Sequence, residues 1–278
     1  MIVENAFLKL PELLTSYLDH GDAFEATVVH LLATAIHMEL NSRNIPRPFE
    51  HVYSEKPYPA RGEDGKAIRV DLFVDLQGAV LITSRMALYG TREQNWIEAK
   101  AFLSSTRAAS TPTKTVNAGK LLRDLLRLCL LPQELPGSAR QNGRYMLIVS
   151  DKKTSDYFAM KDRKWLSDLF SEGVTDIEVD LSEEPNSLRG GVGPGFIQTH
   201  DLRLNLKLHN LAFEPSNENP PPVYWGYLLR ISYFQIKVSD FDIQYEDNPE
   251  YALDERRVNQ FHTIRAEVLK RMSRTAEE

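Results

Sequence analysis

Residues 68–76 read Ile-Arg-Val-Asp-Leu-Phe-Val-Asp-Leu, and residues 95–103 read Asn-Trp-Ile-Glu-Ala-Lys-Ala-Phe-Leu. Both are short apolar runs of the kind that form strands. Side chains alternate faces with period 2, so Glu98 and Lys100 share one face of the second run while Ile97, Ala99 and Ala101 pack the other. An acid and a base projecting together from an apolar strand cost free energy unless they are paired, hydrated or in use. Asp71 has the same setting in the first run, between Val70 and Leu72, and Asp75 shares its face, so either could be the first acid. Two carboxylates converging from neighbouring strands make a hard-oxygen site suited to Mg²⁺, an ion that keeps several waters and binds substrate phosphate. A lysine beside them can hold an attacking water or offset charge on a phosphate, and together these groups suit phosphodiester hydrolysis.

Working outward, Asp22 to Leu40 predicts a helix, with apolar residues near a 3.6 period and Asp22 and Glu25 at the spacing of a capping box. His51 to Tyr58 predicts an edge strand ended by Pro57 and Pro59. Gln77-Gly78 predicts a turn into another apolar strand, Ala79 to Thr83. After a hydroxyl-rich loop, Ser104 to Thr113, a helix is expected from about Asn117 to Leu131, stopped by Pro132. Arg144 to Ser150 reads as a buried strand, Lys164 to Ser171 as a short helix and Asp176 to Leu181 as a strand. Gly190 to Gly195 is neither a Walker loop nor a dinucleotide fingerprint, and it reads as a plain loop leading into a strand. Strands over His200–Phe213 and Tyr224–Val238, separated by the loop Pro215–Pro222, precede a closing helix, Asp254 to Met272. Strands alternating with helices give an α/β class with a mixed sheet flanked by helices and additional C-terminal strands. The expectation is one domain over 1–278, with a core of about 22–181 and a strand-rich region of about 196–278 for recognition or dimer contact.

Of the 278 residues, 42% are hydrophobic and 26% charged, which excludes a disordered chain. No apolar run reaches the roughly 18–20 residues that cross a bilayer, so no membrane partner is expected. The opening Met1-Ile2-Val3-Glu4-Asn5 lacks the pattern of a secretory signal, and the single cysteine, Cys129, fits a reducing compartment such as the cytoplasm. Cys129 lies among leucines and reads as an inert core thiol, and His30 and His37 read as packing residues. No GxSxG, HExxH or CxxC pattern is present. The net charge of −6 hides a division. Residues 83–165 carry fifteen Lys/Arg against seven acids, a balance of +8, and the remainder is −14. Arg107, Lys114, Lys120, Arg123 and Arg127 follow the Glu98–Lys100 strand directly, and the last three share a helix face. A basic face beside a metal site is where a nucleic-acid backbone would lie. Tyr224, Trp225, Tyr227 and Tyr233 are candidates for stacking on bases.

The order Glu25 on a helix, Asp71 on a strand and Glu98-Ala99-Lys100 on a later strand resembles the PD-(D/E)xK nuclease superfamily, the restriction-endonuclease-like fold, over roughly Asp22 to Asp151. The resemblance implies an Mg²⁺-dependent endodeoxyribonuclease in which Asp71 and Glu98 hold the metal, Lys100 is the catalytic lysine and Glu25 is an outer-shell acid. It further implies double-stranded DNA as substrate and a homodimer that cuts both strands. The sequence departs from the family pattern in having Val70 where the name-giving proline would stand, and in the long interval from Asp71 to Glu98. The alternative is a catalytically inactive nucleic-acid-binding or protein-interaction module on the same fold.

Overall fold

The computed structural model describes residues 1–15, 24–61, 65–83, 86, 90–102, 114–132, 142–151, 153, 158, 163–215, 224–246 and 254–273. Helices α1 (Ile2–Thr15) and α2 (Phe24–Ser42) lead into a short 3₁₀ turn and three strands, β1 (Val52–Arg61), β2 (Ala67–Asp75) and β3 (Gln94–Phe102). Helix α3 (Lys114–Leu130) crosses to β4 (Asn142–Ser150), which is followed by β5 (Gly173–Asp180), β6 (Arg203–Phe213), β7 (Trp225–Val238) and β8 (Phe241–Glu246). Helix α4 (Glu255–Ser273) closes the described chain, and three short helices occupy Lys164–Asp168, Asn186–Val192 and Gly195–Gln198.

All eight strands belong to one open mixed sheet in the order β1-β2-β3-β4-β7-β6-β5, with β8 also paired to β7. The first three strands form an antiparallel meander, and β3 and β4 are the one parallel pair among the described strands. A parallel pair needs a crossover, and α3 supplies it. Strand β7 is long enough to serve two neighbours on one side. Trp225–Arg230 pairs with β4 and Tyr233–Val238 pairs with β8, while β6 runs along the other side.

The two faces of the sheet are covered separately. On one, Trp96, Met146 and Ile148 pack with Leu121 and Leu125 of α3 and with Phe261 and Ile264 of α4. On the other, Ile97, Ala99, Leu147 and Val149 pack with Phe7 and Leu10 of α1 and Leu32 and Ile36 of α2. Every residue of β4 is buried, as expected of a central strand covered on both sides. Cys129 lies fully buried on the α3 side, where burial pushes its thiol up to about 12, in keeping with an inert core residue.

Several expectations change. Residues Ala79–Thr83 are not a strand: Ala79 and Val80 donate back to the Leu76 carbonyl in a turn, and Leu81 is left exposed. The Gly190–Gly195 stretch is largely helical, and its glycines serve packing. A Cβ on Gly119 of α3 would run into the Leu188 carbonyl oxygen, and one on Gly191 into that of Val116, so the two glycines let the helices cross in close contact. Strand β1 continues through Pro57 and Pro59, which an edge strand tolerates because the missing donors need not serve a ladder. Of the aromatics, Tyr224 and Tyr227 are core residues, packed on Phe24 and Phe170, and offer no exposed ring to a base. His30 is exposed, while His37 rests on the ring of Phe49. Helix α1 and strand β8 were not foreseen. Asp22, and so half of the capping box, lies outside the described residues. No described helix is long and apolar enough to cross a membrane.

Candidate active site

Strands β2 and β3 pair only from Leu72↔Ile97 to Asp75↔Gln94. Beyond Leu72 they separate. There β2 stays on β1 through Val70 and Arg69, and β3 stays on β4 through Phe102. The separation strips β3 of strand partners on one side, and buried backbone N–H groups must find others. Asp71 and Glu25 provide them. The Ala99 N–H donates to Asp71 Oδ2 at 2.7 Å, and the Ala101 N–H donates to Glu25 Oε2 at 3.2 Å. Asp71 thus reaches in from the departing strand, and Glu25 from the first turn of α2.

Glu98 and Lys100 point from the walls of this fork toward α3, on the face that β3 shares with Trp96. Glu98 is only 1% exposed. Its Oε1 accepts from the Tyr58 hydroxyl at 2.9 Å and lies 3.6 Å from Arg127 Nη2. The Lys100 ammonium sits between two carboxylates, 3.4 Å from Glu25 Oε1 and 3.3 Å from Asp124 Oδ2. Asp124 is fully buried, and its other oxygen pairs with Arg127 Nη1 at 3.1 Å. Arg127 in turn donates through Nη2 to the Arg69 carbonyl at 3.0 Å, tying α3 to the strand that carries Asp71.

Four carboxylates, Glu25, Asp71, Glu98 and Asp124, therefore stand with three cations, Lys100, Arg127 and, at 3.8 Å from Asp124, Arg123, leaving an excess of one negative charge when all are ionised. Glu98 registers the strain. Burial pushes its carboxyl up to about 8; Arg127 and the Tyr58 hydrogen bond pull it down, and Asp124 and Asp71 push it further up. For Lys100 burial works to lower the pKa, but Asp124, Glu25, Asp71 and Glu98 outweigh it, so the value lies above the ordinary one and the amine stays charged. The Tyr58 phenol is held well above its ordinary value, by burial first and then by Glu98, so it remains a neutral donor.

Four sequence candidates, Glu25, Asp71, Glu98 and Lys100, thus meet in one place. Asp75 does not join them: it lies at the far end of the paired stretch, where its Oδ1 caps the turn by accepting from the Gln77 N–H. Among the basic candidates, Lys114 opens α3 and Lys120 and Arg123 lie half-buried along it, with Arg123 Nε 3.8 Å from Asp124. Arg127 is different, since it turns inward as a partner of Glu98 and Asp124. Arg107 lies outside the described residues. Glu55 is exposed on β1, between the register pairs Ser54↔Leu72 and Lys56↔Val70 and so across from Asp71.

Two residues of the site were not singled out from the sequence. Asp124 is an acid set among Leu121, Leu122, Leu125 and Leu128 on an amphipathic helix, and that misplacement is a readable sign of a buried partner. Tyr58 lies between two prolines, where the strand was expected to end.

Among the described residues no three of His, Cys, Asp and Glu stand as a ready group around one ion. Mg²⁺, however, is commonly held by one or two carboxylates with waters completing the shell. Asp71 and Glu98 meet that need in chemistry, and a divalent cation would offset the excess negative charge of the cluster. The residues present fit the ion. Comparison of the chain with family models, with curated proteins and with solved structures finds no match in any of the three.

Proposed function

We propose that the protein is a metal-dependent endodeoxyribonuclease of the restriction-endonuclease-like type. One observation carries the reading: the fork between β2 and β3 gathers Asp71, Glu98 and Lys100 with Glu25 from a helix, around a buried excess of negative charge. The element order supports it too, since α2, an antiparallel meander, α3 and a strand parallel to β3 follow the order that the resemblance implies.

In this reading Asp71 and Glu98 hold Mg²⁺, which when bound supplies charge to polarise a phosphate and to lower the pKa of a water. Lys100, kept protonated by its neighbours, orients the attacking water or offsets charge growing on the phosphate oxygens. Glu25 has a dual task. It seals the Ala101 N–H and steadies the lysine from the solvent side of the site. Lys114, Lys120 and Arg123 on α3 would bind the backbone of double-stranded DNA. Cleavage of both strands calls for two such sites, which a symmetric dimer provides.

Supercoiled plasmid incubated with Mg²⁺ is expected to be nicked or linearised, and Lys100→Ala is expected to abolish the cutting. Undiminished cutting by Lys100→Ala refutes the assignment. The contact of Arg127 with Glu98 favours a second reading, a DNA-binding module in which an internal cation has replaced the metal. That module would retard DNA without cutting it, in the wild type and in Lys100→Ala alike.

A further inference from the structure

Asp124 has no place in the reading above, yet it is the most deeply buried charge of the site. Its position on the leucine face of α3 is expensive, since asparagine or leucine would fill the space without the desolvation of an ion. Its two oxygens divide their work. Oδ1 pairs with Arg127, which is braced on the Arg69 carbonyl, and Oδ2 faces Lys100. The second carboxylate on Lys100, Glu25, has a side chain 45% exposed at the first turn of its helix, whereas Asp124 is fixed in the core. Lys100 therefore has one yielding partner and one rigid one.

We propose that Asp124 is a positioning residue that anchors the Lys100 ammonium at the fork between β2 and β3, with Arg127 fixing the anchor. This rests on the nuclease reading for its effect on cleavage, but the anchoring itself can be observed without it. A lysine side chain has four rotatable carbons and wanders unless held. The carboxylate sets where the ammonium stands relative to Asp71 and Glu98.

The test uses the full 278-residue chain and Asp124→Asn, which keeps the shape and removes the charge. Two quantities are read: plasmid nicking with Mg²⁺, and the rate at which acetic anhydride acetylates Lys100, followed by mass spectrometry against the half-exposed Lys237 as internal reference. Asp124→Asn is expected to lower kcat by about ten- to a hundredfold, the range for residues that orient a catalytic group, with KM for DNA unchanged. Lys100 acetylation is expected to rise several-fold, because the amine is no longer held against a fixed carboxylate in the core. An unchanged acetylation rate overturns the proposal whatever the cleavage shows, and so does a change in KM with kcat intact. If the wild type cuts no DNA, the nuclease reading fails, while the acetylation comparison still decides the anchoring. Should Asp124→Asn not fold, Asp124→Glu retains the charge one methylene further out. It is expected to reduce kcat and restore part of the protection of Lys100, and wild-type values in both measurements would overturn the proposal.

Discussion

Two buried glutamates divide this molecule in an instructive way. Glu39, at the packing of α2 on α1, is 5% exposed and accepts from Asn5, Lys9 and Arg43 at 2.9, 2.9 and 2.8 Å. Those donors outweigh the cost of burial and hold its carboxyl down at about 2. Glu98, at the fork, is 1% exposed, receives one phenol hydrogen bond and one longer cation contact, and faces two other carboxylates. Its carboxyl is pushed up to about 8. The first arrangement is what a fold does with an acid it uses for stability. The second raises the free energy of the folded chain, and such strain gathers at functional sites.

The largest expected effect separates the two by activity. Glu98→Gln is expected to reduce Mg²⁺-dependent nicking by at least about a hundredfold, as removal of a charge from the reacting centre does. Glu39→Gln is expected to leave nicking unchanged. Equal loss in both variants, with both folded, would break the distinction.

Stability against pH sharpens it, because the two acids should act with opposite sign in buffer containing a chelator. The Glu98 carboxyl binds its proton more tightly in the folded chain than in the unfolded one. Its contribution is therefore full below about 4.5 and declines as pH rises through about 8. The Glu39 carboxyl does the reverse. Its contribution is present above 4.5 and is lost as pH falls toward about 2. In urea titrations across this range, Glu98→Gln should flatten the alkaline decline and Glu39→Gln the acidic one. Near neutral pH, Glu39→Gln should cost about 1–2 kcal/mol, a figure kept small because Lys9 and Arg43 are over a third exposed. A Glu98→Gln protein that weakens at pH 9 would contradict the assignment of strain.

The same contrast explains what could be read in the sequence. The face shared by Glu98 and Lys100 follows from alternation within one strand, and the strand followed from its apolar run, so both were legible. Glu25 stands near them because the end of a helix meets the end of a strand, which element order suggested and geometry completes. Asp124 was invisible as a partner of Lys100, since that contact joins a helix to a strand through the fold and leaves only an oddly placed acid as its trace. Glu39 gave no sign either, because α1, which brings Asn5 and Lys9, was not foreseen. The two misread stretches fail for related reasons. Gly191 looks like a turn residue, but its smallness serves a crossing with α3, and Ala79–Thr83 has strand composition with no strand beside it to pair. Local pattern carries the faces of elements, and packing decides the rest.

The smallest effect tests Tyr58, the hydroxyl that donates to Glu98. Tyr58 stacks on Trp96, with ring centroids 5.0 Å apart, and its hydroxyl is the hydrogen bond that softens the burial of Glu98. Tyr58→Phe keeps the stacking and removes only the donor. Stability near pH 6 is expected to fall by about 1 kcal/mol, the usual cost of one buried hydrogen bond. The decline attributed to Glu98 should extend to higher pH, because the ionised carboxylate loses the hydrogen bond that favours it and so costs more to form. Without that bond the carboxyl also keeps its proton more firmly. If Tyr58→Phe instead steadied the protein at alkaline pH, the phenol would be a burden on Glu98 and the account of the fork would need a different source of strain.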